Sequence, residues 1–340
     1  DQGAADLPAD VVTFKDGALH FEMKRLMASY DGTASKEGSQ EIAGTFKQGG
    51  ASFPLTLKRV AKTVASNRPQ EPKKPYPYDE EEVSYENKRD SVKLAGTLTL
   101  PRTKAPFPAV ILITGSGAQN RNEELLGHKP FLVLADYLTR QGIAVLRVDD
   151  RGVGGSTGSV SNSTSENFAA DVLAGIEFLK ARKDINPKQI GLIGHSEGGI
   201  IAPMVAAQSS DVAFIVLMAG TGLTGEEILY LQGALIAKAN GASAETLAKQ
   251  RAQQESSFAI LKKEKDNTAV EKLLREDFAK QIASLSEVEK KGAEQTFNAQ
   301  IKQVTSPWFR YFLTYDPRPA LKQVKCPVLA LNGENDLQVL

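Results

Sequence analysis

Five residues, Gly194-His195-Ser196-Glu197-Gly198, place a serine between two glycines, each two positions away. The apolar run Ile190–Ile193 precedes them and reads as strand, and Ile200–Ala207 follows and reads as helix. A serine between strand and helix occupies a sharp turn with a strained backbone, and the flanking glycines let strand and helix approach closely. Its Oγ then stands free above the strand end. The N–H of Glu197, at the start of the helix, points at any negative oxygen that forms there. Such an arrangement suits attack on an acyl carbon, with Ser196 as nucleophile and the Glu197 N–H as one oxyanion donor. The loop Thr114-Gly115-Ser116-Gly117, directly after Ala109–Ile113, offers the Ser116 N–H as the second donor. The same glycines could cradle a phosphate. However, Asn120 stands where a Gly-x-Gly-x-x-Gly fingerprint needs its third glycine, and at Gly152-x-Gly154 that place is taken by Thr157. A dinucleotide site is therefore not expected. One cysteine and three scattered histidines make no ligand spacing, so neither metal nor organic cofactor is expected.

Elements able to hold this turn lie on both sides of it. Uninterrupted apolar runs recur at 109–113, 143–146, 190–193, 213–217 and 328–331. Runs apolar on both faces belong to strands buried inside a parallel sheet. Glu82–Tyr85 and Val92–Leu98 precede them as a hairpin. Helices alternate with the strands: Phe131–Arg140 is one. Phe168, Val172, Ile176 and Leu179 form the stripe of another, with Ser163 and Glu166 as its capping box. The alternation predicts an α/β fold with a doubly wound, mostly parallel sheet. It is broken once, between Leu217 and Val328, by a stretch rich in Ala, Glu, Lys, Gln and Leu. So long an insertion must stand on the surface as a helical cap, at the strand ends where ligands bind.

Residues 1–60 read differently. Alternating runs at Ala18–Met23 and Ser52–Leu57, with turns at Asp16-Gly17, Asp31-Gly32 and Gly49-Gly50, predict a small antiparallel β-domain, incomplete as a barrel or sandwich. Residues 61–82, with Pro69, Pro72, Pro75 and Pro77, read as an exposed linker. Residues 83–340 form the main domain, with the cap at 222–320.

Composition narrows the partners. Lys+Arg and Asp+Glu balance at 41 each, so neither a nucleic acid nor an anionic membrane is expected. No apolar stretch approaches the ~20 residues of a membrane span. The single Cys326 excludes an intrachain disulfide and reads as a small buried hydrophobe. The sequence opens on Asp1 rather than Met, which suggests a processed N-terminus. An exported location, periplasmic or extracellular, is expected, with the cytoplasm as the alternative.

Gly115-Ser116-Gly117 with Arg121, the segment Arg147–Ser156, the elbow Gly194–Gly199 and the segment Cys326–Asp336 together resemble bacterial α/β-hydrolases. These are close to the serine carboxylesterases of the dienelactone-hydrolase and acyl-aminoacyl-peptidase-like group. The resemblance covers about residues 83–340, and the preceding β-region is similar to an N-terminal domain found before some such esterases. It implies Ser196 as nucleophile and Asp336 as triad acid, in the chain order Ser, acid, His. The position of Asp336, past a strand end and after Gly333, agrees, with Glu334 as the fallback. The Asp149-Asp150-Arg151 turn reads as a structural carboxylate–guanidinium pair, and Arg121, Glu123 and Glu124 read as solvated.

The base is the gap in this scheme. An uncharged serine needs a group to take its proton. His20 reads as strand surface, His128 as a helix-start residue, and His195 as packed and turned away from Oγ. In the resembling family the histidine follows the acid by a further strand-turn, which here falls beyond Leu340. The closing strand and helix would fall there too, so the expectation is a fragment, or a fold completed by a tail or a second polypeptide. The resulting reading is a serine hydrolase that cleaves small-molecule carboxylic esters through an acyl-enzyme on Ser196. Thioester or peptide cleavage on the same fold are alternatives, and a non-catalytic binding module is the reading if Leu340 is the true C-terminus. Leu229, Tyr230, Trp308, Phe309, Tyr311 and Phe312 either shape an apolar acyl pocket or pack the cap; both stay open.

Overall fold

The computed structural model describes residues 9–26, 28–36, 38–48, 51–59, 68–125 and 127–339. The chain forms two compact units. One comprises residues up to Arg68, Leu125–Gly127 and Arg275–Lys302; the other comprises Pro69–Glu124, His128–Leu274 and Gln303–Leu340.

The first unit contains a five-stranded antiparallel meander of β1 (Val11–Lys15), β2 (Ala18–Met23), β3 (Ala28–Ala34), β4 (Glu41–Gln48) and β5 (Ala51–Lys58), paired in chain order. Register puts Val12 opposite Phe21, Phe21 opposite Tyr30, Tyr30 opposite Phe46, and Phe46 opposite Phe53, so one face is apolar. Thr13, His20, Asp31 and Thr45 fall in register on the other face. His20 sits there as strand surface, its Nδ1 2.7 Å from Asp31 Oδ1. Tyr30 is fully buried, and its hydroxyl donates to the carbonyls of Ile42 and Leu55.

The second unit is a doubly wound α/β-hydrolase sheet in the order β12-β11-β10-β8-β9-β7-β6. The hairpin β6 (Asp79–Asn87) and β7 (Val92–Leu100) runs antiparallel at one edge, and β6 begins inside the stretch expected to be linker. The strands β8 (Phe107–Ile113), β9 (Ala144–Val148), β10 (Ile185–His195), β11 (Val212–Met218) and β12 (Val328–Leu331) are parallel. Alternation along β8 explains why its run is apolar throughout. Ala109, Ile111 and Ile113 join one core with Val172, Ile176 and Leu179 of α2 (Ser165–Lys180) and Ile201 and Val205 of α3 (Gly198–Gln208). Val110 and Leu112 join another with Phe131 and Ala135 of α1 (Pro130–Arg140). The helices therefore cover both faces of the sheet. β12 forms the other edge, with Val328, Leu329 and Leu331 about half exposed.

The cap of α2 differs from expectation by one residue. Asn167 Oδ1 accepts the Thr164 N–H at 2.9 Å, while the Ser163 hydroxyl turns back to the Ser159 carbonyl at 2.8 Å. Asparagine reaches back as the glutamate of the usual box would.

The insertion folds as helices α4 (Gly225–Ala239), α5 (Ala244–Lys263), α6 (Asn267–Gln281), α7 (Glu287–Val304), α8 (Pro307–Thr314) and α9 (Arg318–Gln323). Within the second unit α8 packs against α4, α5 and α2. Among the described residues no helix is long and apolar enough to cross a membrane.

Candidate active site

β10 ends at His195 and α3 begins at Gly198, so Ser196 sits in the turn between them with a φ of 52°. A left-handed conformation is costly for a residue with a Cβ and persists only where the surroundings enforce it. Here they do: the Ser196 N–H donates to Met218 O at 2.9 Å, and its carbonyl accepts from the Gly199 N–H at 2.9 Å. The flanking glycines are required by contact. A Cβ on Gly194 would lie 2.0 Å from Gly198 O, and one on Gly198 would lie 2.3 Å from Ile113 O.

The Thr114–Gly117 loop closes over this turn. A Cβ on Gly115 would stand 3.2 Å from Ser196 Cβ and 3.3 Å from His195 Nδ1. Among the described residues neither the Ser116 N–H nor the Glu197 N–H makes a protein hydrogen bond. Two unpaired donors beside a strained serine match what an oxyanion requires.

Three carboxylates hold this region, one for each of Thr114, Gly115 and Ser116; Glu123 and Glu197 are buried and Asp150 is half-buried. Asp150 accepts the Thr114 hydroxyl at 2.8 Å and the Gln119 N–H at 2.9 Å. Glu123, itself at a φ of 49°, accepts the Gly115 N–H at 2.6 Å and binds His195 Nδ1 at 2.8 Å through the same oxygen. Glu197 lies with Ser116 among the groups around it. Burial pushes the Asp150 carboxyl up to about 7, and the charges of Glu197 and Glu123 add to that push against its hydrogen bonds. The Glu123 carboxylate raises the His195 imidazole above its ordinary value, burial opposes it, and the charge of Asp336 adds. A cavity of about 50 Å³, lined in part by Thr114, Asp150 and Glu197, lies beneath the loop.

Arg121 fixes the far end of the same loop. Its guanidinium binds Asp149 at 2.7 and 3.1 Å, and its N–H meets the same carboxylate at 2.9 Å. Burial pushes the Asp149 carboxyl up, but the Arg121 guanidinium and the N–H groups of Arg121 and Gly155 outweigh it and leave it below the ordinary range. Arg151 pairs with Asp171 and Asp90. The Asp149-Asp150-Arg151 turn thus uses guanidinium pairs with partners outside itself.

The expectation of solvated side chains fails for Arg121 and Glu123, which are drawn into networks by partners distant in sequence. His195 is held by Glu123 yet 43% exposed, so it is only partly the packed residue expected. His128 lies at the start of α1, its Nδ1 3.1 Å from Glu71. Each of the three histidines therefore meets a carboxylate through Nδ1, and among the described residues none hydrogen-bonds Ser196.

Asp336 follows β12 in a turn, where its Oδ1 accepts the N–H groups of Gln338 and Val339 at 2.8 and 3.0 Å. β12 ends at Leu331 in register with Met218, itself in register with His195, so Asp336 follows at the same strand ends as Ser196. Glu334, the fallback acid, is exposed. Trp308 stacks on Phe312 at 5.4 Å and Tyr230 lies 5.3 Å from Phe258, so these aromatics pack the inserted helices. Among the described residues no three His, Cys, Asp or Glu side chains gather to hold a metal ion.

The family described as X-Pro dipeptidyl-peptidase (S15 family) matches residues 90–340. Among curated proteins, Esterase EstD of Thermotoga maritima is 29% identical over 187 residues, covering 54% of this chain and 45% of that protein. The Putative hydrolase YtaP of Bacillus subtilis is 29% identical over 122 residues, 31% of this chain and 41% of its own length. The chain thus spans less than half the length of these curated relatives. Among solved structures, an esterase of Pyrococcus furiosus aligns with a TM-score of 0.47 at 19% identity, over 77% of this chain and 73% of that one.

Proposed function

The chain belongs to the X-Pro dipeptidyl-peptidase (S15) family, and from that premise we propose that this serine hydrolase attacks carboxylic esters of small molecules with Ser196. The observation that carries the reading is the left-handed Ser196, with the unpaired N–H groups of Glu197 and Ser116 beside it. Ser196 Oγ adds to the ester carbonyl, and those two N–H groups receive the oxyanion. Collapse of the tetrahedral intermediate expels the alcohol and leaves an acyl-serine, which water hydrolyses. Asp336 orients the histidine that takes the serine proton. Among the described residues none of His20, His128 and His195 hydrogen-bonds Ser196, so this reading assigns that role to none of the three.

The family description favours a second reading, a peptidase. An enzyme that releases dipeptides must read a free N-terminal ammonium with an available acid. The three carboxylates that hold the loop and elbow, the buried Glu123 and Glu197 and the half-buried Asp150, already accept hydrogen bonds. That commitment supports the ester reading. The whole protein is assayed with p-nitrophenyl acetate and with an X-Pro p-nitroanilide. Ester turnover that Ser196→Ala abolishes is expected. Faster turnover of the anilide would replace the ester reading with the peptidase one.

A further inference from the structure

Glu197 does more in this fold than donate its N–H. Its side chain is 3% exposed and has no cation among the groups that hold it. Its Oε1 accepts the hydroxyl of Ser165, the first residue of α2, at 2.6 Å. Both carboxylate oxygens accept the indole N–H of Trp308 on α8, at 2.8 and 2.9 Å. Burial pushes this carboxyl up, and Ser165, Trp308 and Ser116 counter the push. Trp308 is in turn fixed by Phe312, which stacks on it, and by Phe309, 6.1 Å away. One carboxylate therefore joins the elbow to α2, to the Ser116 loop and to an inserted helix. A buried, unpaired carboxylate is expensive, and an apolar residue would fill the space at less cost.

We propose that the Glu197 side chain is a positioning residue for the oxyanion hole. Clamped between Ser165 and Trp308, it fixes the orientation of the Glu197 peptide, so that the N–H is aimed only when α8 is seated. The inference rests on the reading of Ser196 as nucleophile. An oxyanion donor is worth about 10²–10³-fold in rate, and it acts only where its geometry is held. Loosening the clamp costs part of that factor in kcat. It leaves KM for a small ester nearly unchanged, because neither Trp308 nor the Glu197 carboxylate is a substrate contact in this scheme.

Two variants of the whole protein test this. Glu197→Gln keeps the volume and one acceptor oxygen, and Trp308→Phe removes the indole N–H with its five-membered ring while keeping a six-membered ring to stack on Phe312. With p-nitrophenyl acetate each is expected to lower kcat by about tenfold or more, and KM by less than about threefold either way. The double variant should lose no more than the worse single one, since both cut the same contact. The emission of Trp308, read as the difference between the parent and Trp308→Phe, reports the contact and should shift in Glu197→Gln. The proposal is overturned if both variants keep kcat within twofold, or if the emission of Glu197→Gln does not move. Should Glu197→Gln fail to fold, Trp308→Phe, which leaves the carboxylate in place, decides alone. Failure of the underlying reading looks different: Ser196→Ala would then keep its activity.

Discussion

Gly194→Ala is the sharpest perturbation of the elbow, because the structure fixes what the added methyl meets. Its Cβ would lie 2.0 Å from Gly198 O, 2.2 Å from Gly198 C and 2.7 Å from Gly199 N. All three are backbone atoms at the start of α3, and ordinary contact begins near 3.4 Å, so the helix start must retreat by more than an ångström. No side chain can swing aside instead. α3 has little room to give, since every residue from Gly198 to Ala206 is buried. Overpacking of this kind costs about 3 kcal/mol. In a unit of this size that corresponds to a fall of roughly 6 °C in Tm. The same retreat carries the Glu197 N–H away from Ser196, and a displacement of about 1 Å at a reacting centre costs about 100-fold in rate. Thermal unfolding and the kcat for p-nitrophenyl acetate are measured beside Gly222→Ala, whose Cβ meets nothing within 4 Å. The control should stay within about 0.5 kcal/mol of the parent. A Gly194→Ala protein with the parent's Tm and kcat would refute the tight strand–helix junction and the role given to it.

Further expectations concern the groups around the loop. Arg121→Ala strands Asp149, whose side chain is 6% exposed, and should destabilise the fold by about 3 kcal/mol in denaturant titrations; a loss below about 1 kcal/mol would mean that Asp149 finds another partner. Asp150 has its folded value raised to about 7, against about 3.9 for an unfolded aspartate. Its contribution to stability is therefore full below about pH 4 and lost as pH rises through 7. Asp150→Asn should gain on the parent between pH 5 and pH 8, and an equal difference at both pH values would contradict the raised value. Gly292→Ala in α7, where a Cβ meets nothing within 4 Å, should stabilise the protein by about 0.5–1 kcal/mol through helix propensity alone. A fall in Tm for that variant would show that the position is not an open helix site.

Much of the second unit was legible in the sequence because the information is local. The runs that became β8, β9, β10 and β11 are apolar on both faces, and the sheet buries both. The elbow was legible for a steric reason, since Gly194 and Gly198 stand where a Cβ would strike backbone. What escaped was long-range pairing. Glu123 finds His195 72 residues away, and Arg121 finds Asp149 28 residues away, so no spacing rule joins them. The signal that could have hinted at them is the crowding of Arg121, Asn122 and Glu123 directly after a glycine loop, where buried backbone needs acceptors. The shift of the α2 cap to Thr164 and Asn167 shows a subtler limit: several neighbouring residues could cap, and the hydroxyl of Ser163 has a better partner in the Ser159 carbonyl. In the insertion the helices were readable from composition. The grouping of Arg275–Lys302 with the N-terminal sheet was not, because helix propensity says nothing of where a helix packs.

The central claim is that Ser196 is the activated nucleophile, and covalent labelling tests it most directly. The whole protein is treated with a fluorophosphonate, its intact mass is measured before and after, and the adduct is mapped by peptide sequencing. A single adduct on Ser196, absent from Ser196→Ala, is the predicted result. A protein that stays unlabelled, or one labelled at another serine, would contradict the account.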